Sequence, residues 1–183
     1  MVKNVGKLIA ICAIAAASAA GTAQAQRQAP NASGRDGFWI SGGLGYGSLG
    51  CDNCGSREGG ISGGLSLGGT ITPRFLLGVG TSGWTKEEGG ARLTVAEIDA
   101  RVRFYPWTTG GFFLTGGVGY GSVTGSVGGF SATENGAGAI LGMGYDVRIA
   151  RNMSITPFWN GYAMKNSDTD ANVGQIGLAL TLH

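Results

Sequence analysis

GFFLTGGVGYGS, residues 111–122, repeats a phrase met 74 residues earlier, GFWISGGLGYGS at 37–48, with only Trp for Phe, Ile for Leu, Ser for Thr and Leu for Val exchanged. Read in alternation, the later copy puts Phe112, Leu114, Val118 and Tyr120 on one side and Phe113, Thr115, Gly117, Gly119 and Gly121 on the other. The earlier copy sorts alike, Phe38, Ile40, Leu44 and Tyr46 against Trp39, Ser41, Gly43, Gly45 and Gly47. A period of two is the period of a β-strand. Midway, RFLLGVGTSGW (74–84) sets Phe75, Leu77 and Val79 against Leu76, Gly78, Gly80 and Ser82, so the repeating unit is a hairpin of 37 residues.

The segments between supply the returning strands. Residues 61–71, 93–104, 136–149 and 173–183 alternate in the same way, and 153–164 does so less cleanly around Pro157, which removes one ladder donor. The count is eight strands. Tight turns are expected at 71–75, 106–110 and 150–152, with Pro73 suited to the second position of a turn. Longer loops are expected at the other end, roughly 49–59, 85–91, 123–133 and 165–171. Short connections at one end and long ones at the other describe an up-and-down meander.

The first 25 residues read as a secretory leader. Lys3 and Lys7 precede an apolar run from Leu8 to Ala20, and Ala23-Gln24-Ala25 has the small-x-small pattern of a cleavage site. The run is shorter than the roughly 20 residues of a spanning helix. Residues 26–36 are then expected to form a flexible periplasmic segment, and 37–183 the folded domain. The chain has 13 Lys plus Arg against 11 Asp plus Glu; without the two leader lysines the formal charge is zero, which gives no support to nucleic-acid binding. The 37 glycines would suggest disorder if unpatterned, but they fall on one face of each strand.

A soluble lipocalin-like carrier and a membrane barrel share this alternation with opposite faces inward. An eight-stranded barrel has an interior just wide enough for side chains to fill. Four or five large apolar residues from every strand would overfill it, whereas Gly, Ser and Thr with a few long charged chains fit. In water the apolar face would form one belt far larger than the few hundred Å² a soluble monomer exposes; in lipid it is solvated. Hydrocarbon also demands closed barrels or helices, and no apolar helical segment of spanning length follows the leader. The expected fold is all-β, an eight-stranded antiparallel up-and-down transmembrane β-barrel. Phe38, Phe75 and Phe112 open strands while Phe104 and Trp107 close one, all at the tight-turn end, as an interfacial aromatic girdle requires.

With the leader, the Gly-aromatic strands, the short turns and the apolar-alternating last strand, the chain resembles small eight-stranded outer-membrane barrels of the OmpA and OmpX kind, the outer membrane protein beta-barrel domain group, over residues 37–183. That resemblance implies the cell outer membrane of a Gram-negative bacterium, contact with its lipid and lipopolysaccharide, and assembly by machinery that reads the C-terminal strand. The family ends on an outward aromatic; here Leu182 holds that position and His183 follows it. Anchors, adhesins, tiny pores and a few lipid-modifying enzymes share the architecture, so it does not select an activity.

The most chemical-looking cluster is Glu97, Asp99, Arg101 and Arg103 on the inward face of the fourth strand, with Asp146 and Arg148 inward on the sixth. Three acids and three bases could line a narrow polar path, or pair across the lumen as a structural plug, the reading favoured by the cost of an unpaired buried charge. Serines 41, 62, 66 and 82 read as small lumen fillers. Cys51 and Cys54 flank Asp52 and Asn53 in the first outer loop and are expected to form a local disulfide, since neither a thioredoxin-like setting nor further zinc ligands accompany them. Catalysis finds little support: His183 is the sole histidine, at the terminus and on the periplasmic side, and no Gly-Lys-Ser/Thr follows a glycine run. No cofactor or metal is expected. The expected function is that of a non-enzymatic, monomeric outer-membrane barrel with a structural or surface-interaction role, the alternatives being a narrow passive pore, a lipid-modifying enzyme and a soluble periplasmic carrier.

Overall fold

The structure, a computed structural model, describes residues 35–51, 55–166 and 170–183. The expected leader, residues 26–34 of the periplasmic segment, and Cys54 lie outside them, as does the side chain of Cys51, so the disulfide and the leader fall outside what is described.

Among the described residues, nine strands form one antiparallel sheet: β1 Phe38–Cys51, β2 Glu58–Thr72, β3 Phe75–Glu88, β4 Ala91–Phe104, β5 Phe112–Val127, β6 Phe130–Tyr145, β7 Val147–Ala150, β8 Met153–Lys165 and β9 Asp170–Leu182. Each pairs with its sequence neighbour except across the short β6–β7 break. β1 also pairs with β9, and β6 pairs with β8, which closes the sheet. β6 and β7 are two parts of one wall strand, so the barrel has eight staves. The break at Asp146 has a local cause. β8 meets β7 over Met153–Ile155 and β6 over Phe158–Lys165, leaving Thr156 and Pro157 opposite the gap. Pro157, which has no N–H to donate, therefore sits where the ladder is already interrupted, while Asp146 N donates to the carbonyl of Gly111, just ahead of β5 (2.9 Å).

The faces fall as the alternation requires. Leu44, Leu65, Val118, Leu141 and Leu178 point outward, each more than 60 % exposed, while Glu97 and Arg101 are each 5 % exposed inside. Phe38 and Tyr46 bound the outward apolar stretch of β1, as Phe112 and Tyr120 do on β5. Eight steps of about 3.3 Å, tilted about 40°, give a belt about 20 Å tall, close to the band that such barrels present to lipid.

Two of the four expected outer loops are absent as loops. β3 and β4 continue to Glu88 and Ala91, and β5 and β6 to Val127 and Phe130, joined by Gly89-Gly90 and Gly128-Gly129. All four glycines have positive φ, between 57° and 88°, the backbone of a two-residue type I′ hairpin turn. Residues 85–91 and 123–133 are thus mostly strand. Replacing Gly128 and Gly129 together by alanine should destabilise this hairpin by roughly 1–2 kcal/mol per residue, seen as faster amide exchange at Val127 and Phe130 with the membrane barrel unchanged.

Candidate surface-interaction site

The lumen is stoppered at both ends. Near the tight turns, Trp39, Leu76, Tyr105 and Phe113 form one buried cluster. Arg103 lies within it, its guanidinium 4.4 Å from the Trp39 ring centroid and 4.9 Å from that of Phe113, donating to Ser66 Oγ (3.1 Å). Arg35 caps the same end. It lies 3.9 Å over the Tyr105 ring and donates to the carbonyls of Thr108 and Gly110 (both 2.9 Å) and Trp107 (3.3 Å). The segment expected to be flexible over 26–36 therefore ends in an anchored residue, because three carbonyls of the β4–β5 connection converge on one guanidinium.

A polar layer follows. Asp146 accepts hydrogen bonds from Tyr105 Oη (2.8 Å) and Thr156 Oγ1 (2.7 Å) and lies 3.3 Å from His183 Nε2. The chain of contacts continues through Thr181 to Ser41. Higher up, Arg101 and Asp99 make a bidentate pair, one arm being Nε to Oδ1 at 2.7 Å. A side chain at Gly80 would overlap that guanidinium, so this glycine supplies space rather than backbone freedom. The cavity left in this layer is only about 40 Å³, room for one or two waters.

Toward the outside, Leu49, Trp84, Val95, Ile140, Tyr162, Ala171 and Val173 form a second buried cluster, with Leu93 and Val123 packed against it. Trp84 Nε1 is satisfied by the Gly47 carbonyl (3.0 Å). Here the polarity of the alternation reverses. The inward residues are now apolar, while the outward row Thr85, Thr94, Thr124 and Thr133 lies in register across four strands, with hydroxyl contacts at 3.2 and 3.0 Å. Arg57 adds outward bonds to Ser48 Oγ (3.0 Å) and Asn172 Oδ1 (2.7 Å). A surface facing water needs polar groups outside and apolar ones inside, the inverse of a surface facing hydrocarbon. The reversal marks where the wall leaves the bilayer.

Above that level the ends of β3, β4, β5 and β6 continue as a four-stranded sheet. Its inner face forms a cup of about 590 Å³ over Trp84, Leu93, Gly125, Val127, Phe130 and Ala132. Phe130 is 85 % exposed. At the rim Lys86 meets Glu58 and Glu88, both at 2.6 Å. Its hydrogen bond to Glu58, seconded by that to Glu88, holds the ammonium above the ordinary lysine range, and the Lys86 contact holds the Glu88 carboxyl below its own.

The structure brings together only part of the expected charge network. Arg101 pairs with Asp99 on its own strand instead of across the lumen, since i and i+2 share a face. Arg103 is enclosed by rings, and neither Glu97 oxygen has a hydrogen-bond partner among the described residues. Arg148 is exposed at the tight-turn mouth, beyond the interruption at Asp146, and does not join the buried groups. Phe38, Phe75 and Trp107 are exposed on the outer wall, Phe75 stacks on Phe104 (4.8 Å) and Trp107 lies 6.2 Å from Phe112. Sequence reasoning missed the two apolar stoppers and Arg35. The inward parity of Trp39, Leu76, Trp84 and Phe113 was the available signal.

A closed antiparallel barrel, apolar outside, stoppered within and polar-skinned at one end, defines a small outer-membrane β-barrel protein. The chain belongs to the outer membrane protein beta-barrel domain family, whose model matches residues 12–183. Its fold is similar to that of Neisserial surface protein A, with a TM-score of 0.63 at 14% identity over 80% of this chain and 97% of that one. It is also similar to Ail, the attachment invasion locus protein of Yersinia pestis, with a TM-score of 0.58 at 15% identity over 80% of this chain and 99% of that one. No curated protein matches the sequence.

Proposed function

We propose that this outer-membrane barrel is a non-enzymatic surface-interaction protein, monomeric in the membrane, whose working part is the sheet that β3–β6 raise above the bilayer. The carrying observation is the contrast between the middle of the lumen, where the cavity beside Arg101 and Arg103 holds only about 40 Å³, and the cup of about 590 Å³ open to the outside. The hydroxyl row of Thr85, Thr94, Thr124 and Thr133, with Arg92 and Glu87 beside it (2.6 Å), suits the sugar and headgroup layer of lipopolysaccharide. The outward series Ile176, Leu178, Leu180 and Leu182 is the part of β9 available to the assembly machinery. Against a catalytic role, His183, the sole histidine of the chain, lies beside Asp146 at the opposite end from the cup.

Planar-bilayer recording tests this against the narrow pore. The unmodified protein should give no discrete conductance steps, whereas trimming both stoppers in Trp39→Ala/Trp84→Ala should produce small ones. Reproducible steps from the unmodified protein that vanish on Asp99→Ala or Arg101→Ala would make the lumen a conducting path and overturn the proposal.

A further inference from the structure

Ser62 on β2, Glu97 on β4, Tyr162 on β8 and Gln175 on β9 point into the lumen at the foot of the outer stopper, each no more than 5 % exposed. Their common height follows from the register. On strands tilted by about 40°, staying at one level of an eight-stranded barrel means stepping a little over one residue toward the tight turns at each strand crossed. From Ser62 the pairing leads through Trp84 to Val95, and Glu97 lies two residues below Val95. From Glu97 it leads through Gly121 to Gly136; Gly138, two residues lower, pairs with Met164, and Tyr162 is two lower again. Tyr162 pairs with Val173, two residues above Gln175, and Gln175 leads through Gly47 to Gly60, two above Ser62. The circuit closes with the four side chains within about 3 Å of one height.

Their oxygens are unengaged. Ser62 Oγ, both Glu97 oxygens, Tyr162 Oη and Gln175 Oε1 are buried with no hydrogen-bond partner among the described residues. The Glu97 carboxylate reaches toward β6, where a side chain at Gly138 would come within 3.0 Å of its Oε1, and it interacts electrostatically with Tyr162. The two nearby bases are committed elsewhere. Arg101 is held in its bidentate pair with Asp99, and Arg103 sits lower, against Trp39 and Phe113. A buried carboxylate in this position is strongly unfavourable unless a cation or a proton neutralises it.

We propose that this ring holds one monovalent cation of sodium size, with Glu97 as its charged ligand and the oxygens of Ser62, Tyr162 and Gln175 as neutral ones. A proton on Glu97 would remove the charge but leave the other three oxygens as they are, whereas a central cation answers all of them at once. Hard cations take oxygen ligands, and one carboxylate balances a single positive charge. Calcium sites gather more anionic oxygen, and magnesium keeps several waters, for which the cavity of about 40 Å³ beside Gln175 and Ser82 is too small. The site is independent of the surface-interaction reading, since it lies on the lumen side of the outer stopper.

The test uses the full protein folded in lipid vesicles free of lipopolysaccharide and divalent ions. Urea unfolding is compared in sodium chloride and in N-methylglucamine chloride of equal concentration. At about 0.3 M, sodium should lower the unfolding equilibrium constant about tenfold relative to the organic cation, and saturably, as for one site with a Kd of about 30 mM. Glu97→Gln, which removes the charge and keeps the shape, should abolish the difference. Tyr162→Phe, which deletes one neutral ligand, should cut it several-fold. Heat-dependent gel migration checks that both variants fold. Equal stability of the unmodified protein in the two salts overturns the proposal, and so does a sodium response that survives Glu97→Gln. Should Glu97→Gln fail to fold, an undiminished response in Tyr162→Phe overturns it as well. A stability that ignores the salt but falls as pH rises from about 5 to about 8 would give the neutralising role to a proton and exclude the cation.

Discussion

Asp99→Ala is expected to lower the unfolding free energy by about 3–5 kcal/mol, because it leaves the Arg101 guanidinium charged, desolvated and without its bidentate partner. Both side chains are nearly inaccessible, at 3 % and 5 % exposure, and Arg101 occupies the volume that Gly80 leaves open. Removing both charges should be far milder. Asp99→Ala/Arg101→Leu is expected to unfold within about 1 kcal/mol of the unmodified protein, since replacing a buried pair by apolar volume is often neutral. Urea titration in lipid vesicles, followed by the mobility difference between boiled and unboiled samples, gives both values. A single variant that costs less than 1 kcal/mol, or a double variant as unstable as the single, would show that the pair does not organise the lumen.

Leu65→Arg should cost about 2–4 kcal/mol, and Ser126→Arg no more than about 1 kcal/mol, in the same titration. Leu65 is 63 % exposed and faces Gly42, midway between the aromatic limits Phe38 and Tyr46, so its side chain meets the middle of the hydrocarbon. Ser126 lies on the outward parity of β5 above the threonine row, opposite Ser131. The two substitutions place the same guanidinium on the same side of the wall at different depths. Equal penalties would remove the boundary that the polarity reversal marks, and with it the assignment of the upper sheet to the exterior.

That reversal also explains why the outer end of the fold was hidden from a linear reading. The alternation of Phe112, Leu114, Val118 and Tyr120 against glycine is legible because lipid outside and a narrow lumen inside impose opposite demands on neighbouring residues. Beyond Ser122 those demands exchange sides. Val123, Val127, Phe130 and Ala132 then fall on the parity reserved for small residues, and the stretch reads as loop. The paired glycines at 89–90 and 128–129 were a turn signal that did not depend on which side was wet.

Within the membrane-facing belt, the sequence by itself determined the strands, their number and the face each turns to lipid. These follow from a period of two and from the residues that stop a strand, both of which are local properties. Only the tertiary structure decided that Trp39, Leu76, Tyr105 and Phe113 meet in one stopper, that Arg35 closes it, and that Asp146 gathers Tyr105, Thr156 and His183. Each of these is a distance across the closed cylinder. Such distances are set by the stagger with which β1 meets β9 and β6 meets β8, to which many weak pairings contribute and which no single stretch of residues specifies.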